Sequence, residues 1–236
     1  MLAVGLILMA LAGPWLAPYD PESMHFASRF APPSWEFLLG TDSFGRDLLS
    51  RVLVGARSTI LLALLATIIG STVGALIGLI SAYFGGRIDE IIMRIVDAVM
   101  AIPGLLFALL IISALGSSAI NAVIAIGITF APGMARVSRS ITLTVREQDY
   151  VAAAVARGEG AAWIILREIA PNILAPVIVE STIRVAFAIM LLATLSFLGM
   201  GAQPPSPEWG LMISDARAHL YRSPWPVIAP GVAIAT

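Results

Sequence analysis

Few residues in this chain could do chemistry, and their types exclude most of it. The 236 residues contain no Cys, only two His (His25 and His219), and 14 basic residues that are all Arg. Without Cys there is no disulfide or thiolate metal site. Without Lys there is no Schiff base and no phosphate-loop lysine. The two His stand far apart in sequence, which argues against a His-based metal centre. A net charge of −1 gives no footprint for nucleic acid. Carboxylates and guanidinium groups remain. Asp42 and Asp47 flank Gly45 and Arg46 in a loop, with no nucleophile or base beside them; Asp42 is expected to cap a turn that Gly45 closes. Arg94 and Asp97 stand three apart and are expected to pair. Glu180 and Arg184 stand at i, i+4, in the favourable order for a helical ion pair.

The densest polar stretch runs from Arg146 to Asn172, REQDYVAAAVARGEGAAWIILREIAPN. It carries Glu147, Asp149, Glu159 and Glu168 against Arg146, Arg157 and Arg167. Ala152, Ala153, Ala154 and Ala156 favour a helix without bulk. Glu147 and Asp149 suit its positive N-terminal end. Gly158 and Gly160 break it, a second short helix follows, and Pro171 is expected to stop that one and separate it from the next segment. Such a helix–turn–helix reads as a docking surface rather than a catalytic site.

The elements that must carry these residues are membrane spans. The chain is 58% hydrophobic and 12% charged, with a mean hydropathy of +0.92, where a soluble domain averages about 25% charged. Residues 1–17 read as a first transmembrane helix that starts upstream of Met1, because they lack the basic start of a signal peptide. Residues 18–57 form a polar, Pro-rich loop. Ser58 to Phe84 has no charge, and Gly70, Gly74 and Gly78 line one face for close helix packing. Gly85-Gly86 is a tight turn. Ile91 to Leu115 is the next span, kinked at Pro103-Gly104. Ala119 to Val137 is a fourth, with a break at Pro132-Gly133. Ile173 to Leu198 is a fifth and holds the Glu180–Arg184 pair, either a self-satisfied intramembrane pair or a charged lining of a pathway. Residues 199–226 form a second loop in which Trp209 and Trp225 are placed as interfacial anchors. The apolar run from Val227 to Thr236 is too short to span and reads as the start of a sixth helix. Arg counts do not set the orientation. With the Arg146–Asn172 stretch inside, seven arginines (87, 94, 136, 139, 146, 157, 167) oppose six (29, 46, 51, 57, 217, 222). A transporter or channel fits this pattern, an ion-driven one with Glu180–Arg184 in its pathway among them; no nucleophile–base or metal constellation suggests a membrane enzyme.

The stretch Asp149–Asn172 resembles the cytoplasmic loop motif of bacterial ABC importer permeases: Glu-Ala-Ala, three residues, Gly, and about ten residues to Leu-Pro. Ala153-Ala154, Gly158 and Pro171-Asn172 match. Ala152 replaces the Glu, Ala170 replaces the Leu, and Glu159-Gly160 departs from the usual small pair. Three further stretches look like the dipeptide/oligopeptide permease family, and within it the C-type subunit: Leu38-Leu39-Gly40-Thr41-Asp42-Ser43-Phe44-Gly45-Arg46-Asp47, Ala82-Tyr83-Phe84-Gly85-Gly86, and Leu195-Ser196-Phe197-Leu198-Gly199-Met200-Gly201-Ala202-Gln203-Pro204-Pro205. Leu192 stands where the family often has Glu, so no role of that Glu carries over.

The resemblance implies an all-α polytopic protein of six transmembrane helices with a cytoplasmic helix–turn–helix. Residues 58–236 would form the permease domain, including a coupling loop at 146–172, and residues 18–57 and 199–226 would face outside. It implies a bacterial inner-membrane subunit of a heteromeric importer. The partners would be a B-type permease, two ABC ATPases and an extracytoplasmic solute-binding protein. It implies no cofactor in this chain, ATP and Mg2+ being bound by the ATPases, and no catalysis here. ATPase coupling would fall on Asp149, Tyr150, Ala153, Ala154, Gly158, Pro171 and Asn172. The solute class includes peptides, glutathione and nickel chelates.

Overall fold

In a computed structural model the described residues are 11–235, so most of the expected first span lies outside them; residues 11–16 are helical. Among the described residues there is no β-strand, only an isolated bridge between Thr41 and Asp47. The helices are α1 (Leu48–Phe84), α2 (Gly86–Met100), α3 (Gly104–Leu115), α4 (Ala119–Arg146), α5 (Asp149–Ala156), α6 (Ala161–Phe197), α7 (Trp209–Ala216) and α8 (Trp225–Ala235). Helices α1, α4 and α6 are long and apolar enough to cross a membrane, and α2 with α3 makes a fourth candidate if the pair is one broken span. The chain divides into two compact units.

The first unit contains residues up to Leu64, Ile112–Val123 and everything from Ile189. Its loop is closed by carboxylates. Asp42 Oδ1 accepts from the backbone N–H of Phe44 (2.8 Å) and Arg46 (3.0 Å), and Oδ2 takes the Arg46 guanidinium at 2.6 Å. Gly45 sits at φ +78°, as the expected turn requires. Asp47 caps α1 by accepting from Ser50 N at 2.8 Å, so α1 begins ten residues ahead of the expected Ser58. Trp209 corrects the sequence reading. It is no interfacial anchor but fully buried, donating from Nε1 to the Val52 carbonyl at 3.0 Å. Gly55 makes room for it: a Cβ there would lie 3.1 Å from the Trp209 ring. Trp225 is partly exposed. Glu208 caps α7, accepting from Gly210 N (3.0 Å) and Leu211 N (2.9 Å). Burial pushes the Glu208 carboxyl above its ordinary range against those two donors. Burial also raises Asp215, with Arg46 and Arg51 pulling it back.

The second unit contains Leu65–Ile111 and Ile124–Ala188. Its spine is the glycine stripe of α1 laid on α4. A Cβ at Gly70 would sit 2.7 Å from the Gly127 carbonyl oxygen; one at Gly74 or Gly78 would strike the carbonyl oxygens of Ala131 and Ala135. Backbone-to-backbone approach of this kind lets spans associate where no hydrophobic effect drives them together. Ser138 Oγ donates to the Ala75 carbonyl at 2.9 Å across the same crossing. Gly85 and Gly86 both have positive φ, forming the expected tight turn into α2.

Three expectations are corrected here. Ile91–Leu115 is not one continuous helix with a kink: it splits at Ala101–Pro103 into α2 and α3, bent by 91°. Arg94 and Asp97 do not pair with each other. Arg94 takes Glu90 at i, i+4 (2.5 Å), and Asp97 takes Arg136 of α4 (2.5 Å), because α4 offers a cation within reach of its side of the helix. Asp89 likewise holds Arg139 through both oxygens, at 2.6 and 2.5 Å, so two of α2's acids bind α4. Pro132-Gly133 is no break, since α4 runs through it from Ala119 to Arg146.

Candidate functional site

The polar stretch folds as a short helix, a turn and the head of a long helix. Asp149 lies in the first turn of α5, where its charge suits the free N–H groups. The helix ends in a Schellman turn: Glu159 N donates to the Ala154 carbonyl (3.2 Å) and Gly158 N to that of Val155 (2.9 Å). That turn needs a left-handed residue, and Gly158 supplies it at φ +79°. Arg157 reaches across the turn to Glu159 and Glu168, each at 3.7 Å, and lies over the Trp163 ring.

Pro171 does not stop the second helix. Helix α6 begins at Ala161, passes through a π-helical stretch at Ile164–Ile169, and continues unbroken to Phe197. Proline lacks an N–H and its ring crowds the carbonyl one turn back. The wider π turn just before it absorbs that misfit. The second helix of the polar stretch and the following span are therefore one continuous helix, where two were expected. Asn172 donates to the Glu168 carbonyl at 2.6 Å within it.

One face of this assembly is bolted to the spans. Val151, Ala154, Ile164, Ile169 and Ile173 form a buried cluster with Leu79 of α1, and Tyr83, Ile141, Val145 and Ile165 pack against it. Ala154 is 0% exposed, so it meets the spans and not a partner. The other face is open. Tyr150, Ala152, Ala153, Val155, Ala156, Gly158, Trp163 and Leu166 are all exposed. Helix α5 thus packs on α1, α4 and α6 through one apolar core.

The other candidate lies midway along α6. Arg184 Nη2 donates to Glu180 Oε1 at 2.8 Å, as expected from the spacing. The guanidinium lies over the Phe130 ring and beside Gly133, where a Cβ would be 3.1–3.2 Å from its nitrogens. Gly133 was not legible in that role, since a Pro-Gly pair reads as a break. Ser181, one residue after Glu180, shares a hydroxyl–hydroxyl hydrogen bond of 2.8 Å with Ser71 of α1. Among the described residues no cluster of His, Asp and Glu could hold a metal ion.

Comparison with known proteins places this arrangement. Residues 74–236 match the family described as binding-protein-dependent transport system inner membrane component, and residues 1–33 match the N-terminal TM domain of oligopeptide transport permease C. The chain is 41% identical over 235 residues to the di/tripeptide transport system permease protein DppC of Pseudomonas aeruginosa (strain UCBPP-PA14), covering 97% of this chain and 78% of the relative. It is 41% identical over 234 residues to the probable D,D-dipeptide transport system permease protein DdpC of Escherichia coli (strain K12), covering 99% and 78%. It is 39% identical over 230 residues to the glutathione transport system permease protein GsiD of Escherichia coli O6:K15:H31 (strain 536 / UPEC), covering 97% and 76%. With its spans, its bolted polar loop and these matches, the chain belongs to the binding-protein-dependent transport system inner membrane component family.

Proposed function

We infer that this chain is a permease subunit of an ATP-binding-cassette importer, and that it forms with a second permease the path for di- or oligopeptides or a related small solute. The observation that carries this reading is the exposed face of α5 and its turn, backed by one apolar core joined to three spans. A docking surface so mounted converts movement of a partner into movement of spans. The names of the relatives, which include dipeptide and glutathione permeases, set the solute class.

On this reading residues 146–172 face the cytoplasm and two ATPases bind there, holding ATP and Mg2+. Residues 18–57 and 199–226 face an extracytoplasmic solute-binding protein. Residues 1–17, α1, the bent α2–α3 pair, α4, α6 and α8 make six spans in a bacterial inner membrane, within a permease domain covering 58–236. Tyr150, Ala153 and Gly158 lie on the docking face. Ala154 and Pro171 serve it from behind, one as an anchor in the core, the other within the head of α6.

Affinity purification of a tagged chain from its native membrane tests this reading. The expected result is recovery of a second permease and two ATPase polypeptides. A chain that purifies alone and, in liposomes, takes up solute on an ion gradient contradicts it.

A further inference from the structure

The Glu180–Arg184 pair occupies the middle of an apolar span, and it is built unlike a pair that only cancels charge. Arg184 offers five N–H donors. Nη2 is used by Glu180 at 2.8 Å, while Nε is buried with no partner. An unsatisfied donor is costly in a membrane interior, and because Nε is closed off, the N–H groups a solute can reach are those left on the two outer nitrogens. The fork is nonetheless fixed. Glu180 holds one edge, the Phe130 ring lies 5.8 Å from its carbon, and Gly133 leaves the space its two outer nitrogens fill. The pair is reachable: its side chains keep 17% and 30% of their exposure.

We propose that Arg184 is a specificity residue for transport, which receives the carboxylate of a peptide-like solute in transit while Glu180 orients the guanidinium and faces the solute's ammonium group. The proposal rests on the permease reading above. A planar fork fixed on one edge presents the rest of its donors to a carboxylate, which matches it through two parallel hydrogen bonds. A zwitterionic peptide meets both charges of the pair at once. A neutral or amidated solute leaves the fork unsatisfied and is disfavoured accordingly.

The test uses the whole importer in proteoliposomes with its binding protein, and two probes, labelled alanyl-alanine and its C-terminal amide. In Arg184→Gln, uptake of the free acid is expected to fall at least about tenfold, the loss of one charge-assisted hydrogen bond, while uptake of the amide and ATP hydrolysis persist. Equal loss of both probes, or of neither, overturns the proposal. The double variant Glu180→Arg with Arg184→Glu restores a pair but moves the cation by one turn, so it is expected to assemble without recovering uptake of the free acid. Full recovery would show that the pair only cancels charge, and failure of both variants to assemble would show that it only holds the helix; either result overturns the proposal. No ATP-driven uptake of alanyl-alanine by the unaltered complex is a different outcome: it sinks the peptide reading, and this proposal with it.

Discussion

Gly158→Arg separates the surface of the 146–172 loop, proposed above to couple to an ATPase, from its fold. Gly158 sits at φ +79°, and a Cβ there would meet nothing within 4 Å. Any L-residue at this place therefore costs the left-handed conformation, about 1–2 kcal/mol, and no clash within the chain. Ala and Arg share that cost. It is small against the roughly 5–15 kcal/mol that separates a folded domain from its unfolded chain. Both variants should reach the membrane, and they differ only in what projects from the turn. Ala adds a methyl group to the open face. Arg adds a long cation beside Arg157, which is already engaged with Glu159 and Glu168. The assay is solute uptake per ATP hydrolysed in proteoliposomes, at matched abundance. Gly158→Ala should keep most of the uptake, and Gly158→Arg should lose it while the ATPases still turn over or detach. Normal uptake by the Arg variant refutes the coupling role. Equal loss in the Ala variant would assign the defect to strain in the turn instead of contact with a partner.

Other perturbations test the frame. Gly74→Leu should sharply lower the folded protein recovered from membranes, because its Cβ strikes the Ala131 carbonyl and sits 2.7 Å from Met134 Cβ; Gly231→Ala, where a Cβ meets nothing, should be neutral, and equal recovery of both would contradict the α1–α4 crossing. Glu208→Ala removes the cap of α7 and should cost about 1 kcal/mol or more in thermal unfolding in detergent, with Glu208→Gln keeping part of it. The pH dependence follows from the raised carboxyl: folding favours its protonated form, so its contribution is complete below the unfolded value of 4.5 and declines as pH rises through the folded value. Glu208→Gln should flatten that decline above pH 4.5, and identical slopes for the two proteins would contradict the burial argument.

Features governed by local chemistry were readable from the sequence. The Gly70, Gly74, Gly78 spacing places three glycines on one helix face whatever the partner, and α4 proved to be that partner. Gly158 and the Gly85-Gly86 turn were legible because positive φ is glycine's own region. Glu180 and Arg184 were legible because i, i+4 is a fixed distance on a helix. Features that depend on a neighbour were not. Asp97 pairs with Arg136, thirty-nine residues away, and no local rule could prefer that to Arg94. Trp209 looked like an anchor until Gly55 and Val52 gave it a pocket and an acceptor. Pro171 and Pro132 looked like stops, yet both lie inside helices. Pro132 lies in a span, where backbone has few alternatives to helix, and Pro171 follows the π-helical turn at Ile164–Ile169 that makes room for it. The inner and outer faces of the Ala run were also unresolved by composition. Only the packing shows that Ala154 is buried while Ala152 and Ala153 are open.

That last distinction gives the most direct test of the central claim, that the open face of α5 is where an ATPase docks. The chain has no native Cys, so a single introduced thiol is unique in it. With Ala153→Cys carrying a photoactivatable benzophenone, illumination of the assembled importer should capture an ATPase subunit and stop uptake. Ala154→Cys, buried against Leu79 and Ile173, should resist labelling in the folded protein and capture nothing. An Ala153 probe that labels fully, captures no ATPase and leaves uptake unchanged would contradict the account.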